Sequence, residues 1–335
     1  MKRINKESNG AVAYVIVAWN NKDLLDDCLE SIDKQDYDGE KQIILVDNAS
    51  TDGTVEYIKK EFPYIKLLSE SENHGFAKGN NLGINYALQD RGINYIVLLN
   101  TDTRLDKNWT SVLVDAIKVR PRTAMAQSIT LDYYDHNIID STHIYISEYG
   151  QGIQSSWREP IENGYEAAPH KVFGCNAAAM IITRNFIEEQ PFSDLFDETM
   201  FMYLEDVDLA TRATVMGWDN FIIPGTRAYH MGSISSTKKD PSFSLYMTFR
   251  NNLGLLIKNL PTKTLFVILF RMIRADRASI RHLRLTGRSK AIPAIIKGRL
   301  AGLLFIPIFI AKRNKLKPYR VINKDYLWRL MERGY

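Results

Sequence analysis

Two rhythms of apolar and polar positions alternate along the first hundred residues. Residues 12–19 (VAYVIVAW), 42–47 (QIILVD), 65–68 and 95–99 (YIVLL) are short aliphatic runs, apolar on both faces, and read as buried strands. Between them, Leu25, Cys28, Leu29 and Ile32 recur at helical spacing, and residues 24–33, 54–62 and 79–88 are predicted helices. Buried strands separated by helices predict an α/β fold with a mainly parallel central sheet covered on two sides. Such sheets gather ligands at the carboxyl ends of their strands. Here those ends carry Trp19-Asn20, Asp47 and Asn100-Thr101-Asp102, and a polar turn, residues 48–53, follows the second strand.

Farther along, the regularity fades. Residues 128–168 are polar, aromatic and poorly periodic, and are expected to form loops and irregular strands capping a cleft. Residues 171–183 are apolar with Gly174, Ala177, Ala178 and Ala179 at their centre, small enough for a ligand or another backbone to approach closely. A helix is expected over 205–217, and beyond residue 246 the chain turns helical, basic and apolar. Its longest apolar stretch, 300–311, covers about 18 Å as helix against a hydrocarbon core of about 30 Å, and Pro307 interrupts it, so no spanning helix is expected.

Charge sharpens this division. The 335 residues carry a net +4, yet residues 258–335 hold 19 Lys and Arg against Asp276, Asp325 and Glu332, leaving the rest at −12. Hydrophobic residues at 45% exclude a disordered chain, and two cysteines, Cys28 and Cys175, exclude a disulfide scaffold. Neither cysteine has CxxC spacing, so both are expected to be small buried residues in a reducing cytosol. The first 20 residues lack the apolar core and cleavage site of a leader, and a cytoplasmic protein is expected.

Four segments carry chemistry. Asp102, just beyond a buried strand, can hold a hard divalent cation that keeps other positions for phosphate oxygens. Glu205-Asp206-Val207-Asp208 reads either as a solvated helix start, its repulsion offset by the helix dipole, or as a base at the mouth of an apolar pocket after Met200-Phe201-Met202-Tyr203. His230 lies between the apolar Phe221-Ile222-Ile223 and a Gly232-Ser233 turn, a position for a structural histidine, a metal ligand or a phosphate contact. The segment from Asn73 to Gly83 is glycine-rich and opens a helix, so its N–H groups can meet a diphosphate. It is neither GxGxxG nor GxxxxGK[ST], which disfavours a dinucleotide-binding dehydrogenase or a P-loop NTPase.

In chain order, Val15-Ile16-Val17-Ala18-Trp19-Asn20, Val46-Asp47-Asn48-Ala49-Ser50-Thr51-Asp52-Gly53, Asn73-His74-Gly75-Phe76-Ala77-Lys78-Gly79-Asn80-Asn81, Leu99-Asn100-Thr101-Asp102, Glu205-Asp206-Val207-Asp208, His230 with Gly232 and Ser233, and Arg250-Asn251 resemble the family 2 glycosyltransferases. The likeness is to their rhamnosyltransferase-like and galactofuranosyltransferase-like branch, over roughly residues 11–258. It implies the GT-A fold, with a catalytic domain over 1–257, its donor-binding half about 11–125 and its acceptor-side half about 126–257. It further implies an inverting, metal-dependent transfer from a nucleotide-sugar donor, favoured as dTDP-L-rhamnose, to a lipid-linked or polysaccharide acceptor of a bacterial cell surface. UDP-galactofuranose and UDP-N-acetylglucosamine are the alternative donors. A nucleotidyltransferase is the alternative class, although Asn20-Asn21-Lys22-Asp23 stands where its Gly-rich basic loop is expected.

The same resemblance assigns roles. Asp47 hydrogen-bonds the nucleobase; Asn20, Asn73, Gly75, Lys78, Asn80 and Asn100 complete the donor side; Asp102 and His230 hold Mg²⁺ or Mn²⁺; Asp206 is the catalytic base; Gly174, Glu205 and Arg250 face the acceptor. Asn100 replaces an acid that many members carry, and Asn80 replaces an arginine, with Lys78 the candidate for that charge.

The tail, 258–335, has Arg271, Arg274, Arg277, Arg281, Arg284 and Arg288 on one helical stripe, with Leu265, Phe266, Leu269, Phe270, Ile273, Ile280 and Leu283 as its apolar complement. Two placements fit: in the plane of an anionic membrane at the inner face of the cell membrane, or packed on the acidic body. Aromatic interleaving and the folds of nucleic-acid binders are missing, so no nucleic-acid partner is expected.

Overall fold

The computed structural model describes residues 10–161, 168–232, 241–322, 327, 328 and 331. The first half follows the alternation of the sequence: β1 (Ala11–Ala18), α1 (Leu25–Asp33), β2 (Lys41–Asp47), α2 (Thr54–Glu61), β3 (Lys66–Ser69), α3 (Gly75–Ala87) and β4 (Ile93–Leu99). Helix α3 starts four residues before the expected position, at Gly75, so the glycine-rich segment is its first turn. There follow β5 (Thr103–Leu105), α4 (Trp109–Lys118), β6 (Thr123–Asp132), β7 (Ile139–Ser141), β8 (Ile144–Ile146), β9 (Gly152–Gln154), β10 (His170–Val172), β11 (Ala179–Thr183), α5 (Arg184–Glu189), α6 (Glu205–Val215) and β12 (Asp219–His230). Helices α7 (Ser242–Asn259), α8 (Thr262–Leu285), α9 (Ile292–Leu304) and α10 (Ile306–Leu316) complete the described chain.

One sheet of ten strands organises the molecule, in the order β10-β12-β6-β11-β4-β1-β2-β3, with β5 on β12 and β7 on β6. The expected parallel order holds from β3 through β2 and β1 to β4. Strand β11 then enters antiparallel to both β4 and β6, while β6 and β12 run parallel to each other. The stretch expected as irregular, 128–168, contains the end of the fully buried β6 and the short strands β7 to β9. The expected single apolar segment, 171–183, is two strands with a turn between them.

Each face of the sheet has its own apolar layer. Leu25, Cys28, Leu29 and Ile32 of α1 pack with Trp109 and Leu113 of α4 on one side. On the other, Ala77 and Ile84 of α3 and Leu209 of α6 join Leu253 and Leu256 of α7, Ile268 of α8 and Phe309 of α10 in one cluster. Both cysteines are buried within these layers, and burial raises both thiols. The boundary expected at 257/258 falls inside α7, whose Leu253, Leu255, Leu256 and Ile257 belong to that second cluster.

Charge fastens the helices as well. Lys258 of α7 is buried, with its ammonium 2.6 Å from Asp197 Oδ2 and 2.7 Å from Asp208 Oδ2. Lys312 of α10 also pairs with Asp197, and Asn259 donates to Asp208 Oδ1 at 2.6 Å. Burial alone raises the Asp197 carboxyl, but the two ammoniums outweigh it and hold the group well below the usual carboxylate range. Its contribution to stability is therefore complete above the unfolded value of about 3.9 and is lost as pH falls through the folded value. Lys258→Met is expected to cost about 3–5 kcal/mol in urea unfolding at pH 7, with the gap to wild type narrowing below about pH 3.9. A loss under 1 kcal/mol, or a gap independent of pH, contradicts this account.

Candidate active site

Strand ends and helix starts from both halves of the sheet converge. Asn20, beyond β1, has a left-handed backbone (φ 54°); its N–H donates to Ser50 Oγ at 2.9 Å and its Oδ1 accepts the Thr51 N–H at 2.7 Å. These bonds tie the first two strand ends together. Asp47, the last residue of β2, is buried; Oδ2 accepts the Ser50 N–H at 3.2 Å, and Oδ1 has no partner. A buried carboxylate oxygen without a donor is costly and marks a place for a ligand N–H.

Asn48 carries the link onward to α3. Its Nδ2 donates to Asn73 Oδ1 (3.0 Å) and to the Gly75 carbonyl (3.1 Å), and its Oδ1 accepts the His74 N–H. Asn73 Oδ1 also accepts the Gly75 N–H at 2.8 Å. Gly75 has φ +76°, and a Cβ there would stand 2.5 Å from the Phe201 carbonyl, so this position excludes a side chain. The Ala77 N–H donates to that same carbonyl at 3.0 Å. Lys78 is half-buried in the next position, whereas Asn80 is buried with its amide on the Phe76 carbonyl of its own helix at 2.9 Å.

Strand β12 aligns His230 with Thr103 of β5, beside Asp102. His230 Nε2 lies 3.3 Å from Asp102 Oδ1, and Nδ1 lies 2.9 Å from Asp140 Oδ2 on β7. Burial disfavours the charged imidazole, but the hydrogen bonds and charges of the two carboxylates prevail and lift it to about 10. This arrangement fits a hard divalent cation. The Asp102 carboxylate and the His230 imidazole, 3.3 Å apart, are donor types that a divalent cation accepts, and the Asp140 carboxylate orients the ring through Nδ1. Among the described residues no group of three or more His, Cys, Asp and Glu is placed to hold a metal ion. Asn100 is half-buried, its N–H on the Ala178 carbonyl. Ser233 lies outside the described residues.

The Ala177-Ala178 turn connects this pair to α6. Ala177 donates a backbone hydrogen bond to Asp206, whose Oδ1 also accepts the Val207 N–H at 2.8 Å. Asp206 is half-buried, and burial raises its pKa while those two N–H groups oppose the rise. Glu205 is buried, its Oε2 lacks a partner, and burial together with the Asp206 charge raises it well above the usual range. Burial therefore raises both acids of the pair. Gly174, expected toward the acceptor, admits Ala210 of α6 instead: a Cβ there would lie 2.2 Å from the Ala210 Cβ.

Before the acid pair, Phe201, Tyr203 and Leu204 have left-handed backbones, with φ of 60°, 72° and 68°. Each costs about 1–2 kcal/mol and needs external support. Buried Asn251 of α7 supplies it: its Nδ2 lies 2.7, 2.9 and 2.8 Å from the carbonyls of Met200, Met202 and Tyr203. Arg250, also expected on the acceptor side, donates to the Thr199 and Met200 carbonyls at 2.9 and 2.8 Å and lies over the Phe305 ring. Asn48, Asp140, Lys258 and Asn251 escaped assignment from the sequence. Asn48 and Asn251 stood inside quoted motifs, but nothing local marked Asp140 or Lys258.

Residues 14–189, more than half of the chain, match the sequence profile of Glycosyl transferase family 2. The chain belongs to this family. A low-salt glycan biosynthesis hexosyltransferase, Agl10, of Haloferax volcanii is 23% identical over 217 residues, 64% of this chain and 66% of that protein. An N-acetylglucosaminyl-diphospho-decaprenol L-rhamnosyltransferase of Mycobacterium tuberculosis is 26% identical over 220 residues, 61% of this chain and 70% of the relative. The crystal structure of GalNAc-T7 with UDP, GalNAc and Mn²⁺ superposes with a TM-score of 0.64 at 14% identity, covering 96% of this chain and 56% of that one. The fold of this family 2 member is GT-A. Asp206, His230 and Asn251 all lie beyond the profile match.

Asn251→Leu keeps the shape of the side chain and removes the donor shared by the Met200, Met202 and Tyr203 carbonyls, of which Met200 keeps Arg250. It is expected to cost about 2–4 kcal/mol in denaturant unfolding, at roughly 1–3 kcal/mol for each buried group left unpaired, and to expose residues 199–204 to proteolysis. A change within 0.5 kcal/mol, roughly the level of an ordinary surface substitution, removes the strut.

Proposed function

We propose that this family 2 member transfers a sugar, with inversion, from a nucleoside-diphosphate donor to a hydroxyl of a lipid-linked or polysaccharide acceptor. The main support is two chains of hydrogen bonds, one from Asn48, beside the orphaned Asp47 oxygen, through Gly75 and Ala77 to Phe201, the other from Asn100, near the Asp102–His230 pair, through the Ala177-Ala178 turn to Asp206. Asp47 Oδ1 suits a nucleobase N–H. The first turn of α3, with Lys78, suits a diphosphate. Asp102 and His230 would hold Mg²⁺ or Mn²⁺, which when bound would supply positive charge beside the diphosphate leaving group. Asp206 accepts the proton of the acceptor hydroxyl as its oxygen attacks the anomeric carbon from the face opposite the leaving group.

L-Rhamnose carried on dTDP is the proposed donor sugar, and a sugar carried on a polyprenyl diphosphate the proposed acceptor; the name of the mycobacterial relative supports both. Asp206→Asn is expected to lower turnover about 10²–10⁴-fold, the usual contribution of a general base. Calorimetric binding of dTDP with Mn²⁺ stays within twofold of wild type. Retained turnover removes Asp206 from the role.

The helical end is proposed to lie on an anionic membrane at the inner face of the cell membrane. Arg274, Arg277, Arg281, Arg284 and Arg288 are exposed and make no ion pair with a described carboxylate, whereas Arg271 pairs with Glu148. Phe266 and Phe270 of α8 and Leu300 and Leu304 of α9 are exposed too, Leu304 at 80%. Among the described residues no single helix is long and apolar enough to cross a membrane, although the segments Ser289–Leu304 and Ile306–Tyr319, bent by 58°, pass that test together. Flotation is expected with vesicles containing phosphatidylglycerol and not with phosphatidylcholine alone, and to weaken with salt, each cation near the surface contributing about 1 kcal/mol. Equal flotation with both vesicles overturns the electrostatic part of this reading.

A further inference from the structure

Helices α7, α8 and α9 enclose a cleft of about 640 Å³ beside the 149–152 loop, within the size range of sites that bury a small ligand. Leu245, Leu283 and Ile295 form its apolar floor, and Ala275 and Ala278 keep it open where larger side chains would close it. Arg274 and His282 stand at its rim, and no carboxylate lines it. The charge of Arg274 is uncompensated, whereas its neighbours Arg271 and Arg299 are held by Glu148 and Asp276. An apolar floor beneath a cationic rim is complementary to a long apolar chain that ends in phosphate.

Position narrows the occupant further. Tyr149 and Gln151 form one wall of the cleft. The next residue, Gly152, lies against Leu204 and Val207, which flank Glu205 and Asp206 in sequence. On its outer side the cleft adjoins exposed Ile273 of α8 and Ile296 of α9, within the surface assigned above to the membrane. A lipid seated here has its chain toward the bilayer, its phosphate on Arg274 and His282, and its sugar directed along Gln151 and Gly152 toward Asp206.

We propose that this cleft binds the phosphate-bearing end of a polyprenyl lipid, the carrier of the acceptor sugar; the assignment rests on the lipid-linked acceptor reading given above. The full chain is tested by flotation with phosphatidylcholine vesicles doped with decaprenyl phosphate, or with phosphatidylglycerol at equal charge. Wild type is expected to bind the decaprenyl phosphate vesicles about tenfold more tightly, the worth of one charge-assisted contact. Ala278→Trp, which fills the cleft, and Arg274→Glu, on an exposed side chain that folding does not require, each abolish that preference. Arg277→Glu, one turn away on the surface, weakens binding to both vesicles alike. Inorganic phosphate at the same concentration does not compete.

Equal wild-type affinity for the two vesicles reduces the surface to a general anionic-lipid contact and overturns the proposal. So does a preference that survives both cleft variants, or competition by inorganic phosphate. Hydrolysis of dTDP-L-rhamnose by the wild-type samples reports the sugar-transfer reading separately: hydrolysis without the preference overturns the cleft alone, and the preference without hydrolysis supports the cleft and counts against the sugar-transfer reading.

Discussion

A lysine ammonium buried between two carboxylates ties α7 to residues 197–208. Lys258 bridges Asp197 and Asp208, which flank the loop that presents Glu205 and Asp206. The three charges lie in the interior, where an unpaired one would cost several kcal/mol, so none is tolerated without the others. Asn251 and Asn259, on the same helix, bind the same segment through its carbonyls and through Asp208. The acid pair thus owes its position less to its own helix than to α7, which clamps residues 197–208 at both ends.

The clamp also explains how a strained loop persists. Three left-handed residues in four positions are unfavourable, yet the turn they make lets the Phe201 carbonyl reach Ala77 across the space left by the missing side chain of Gly75. Through this contact the first turn of α3 and the approach to α6 brace each other. The start of α3 and the loop before α6, far apart in sequence, therefore share a few hydrogen bonds and must form together.

Much of this was legible from the chain alone, for a definite reason. The strands β1, β2 and β4 announce themselves because both their faces are buried, and the residues at their ends follow from that topology. Asp102, His230 and Asp206 stand out as polar groups next to apolar runs. What stayed hidden depends on partners distant in sequence. Strand β11 reverses direction because it pairs with β4 and β6, which no local pattern specifies. Lys258 looked like the first residue of a basic tail because Asp197 and Asp208 are 61 and 50 positions away. Asp140 sat in a stretch with no periodicity, and Gly174 and Arg250 read as ligand-facing although each makes its contacts with other protein elements.

Helix α7 crosses the point at which the composition of the chain changes, with Asn251 before it and Lys258 and Asn259 after it. The cationic end is thus not an appendage that evolution or an experimenter can trim or exchange without consequence. A polypeptide cut where its charge changes sign retains every motif that identifies it, but loses the grip that keeps Glu205 and Asp206 in place.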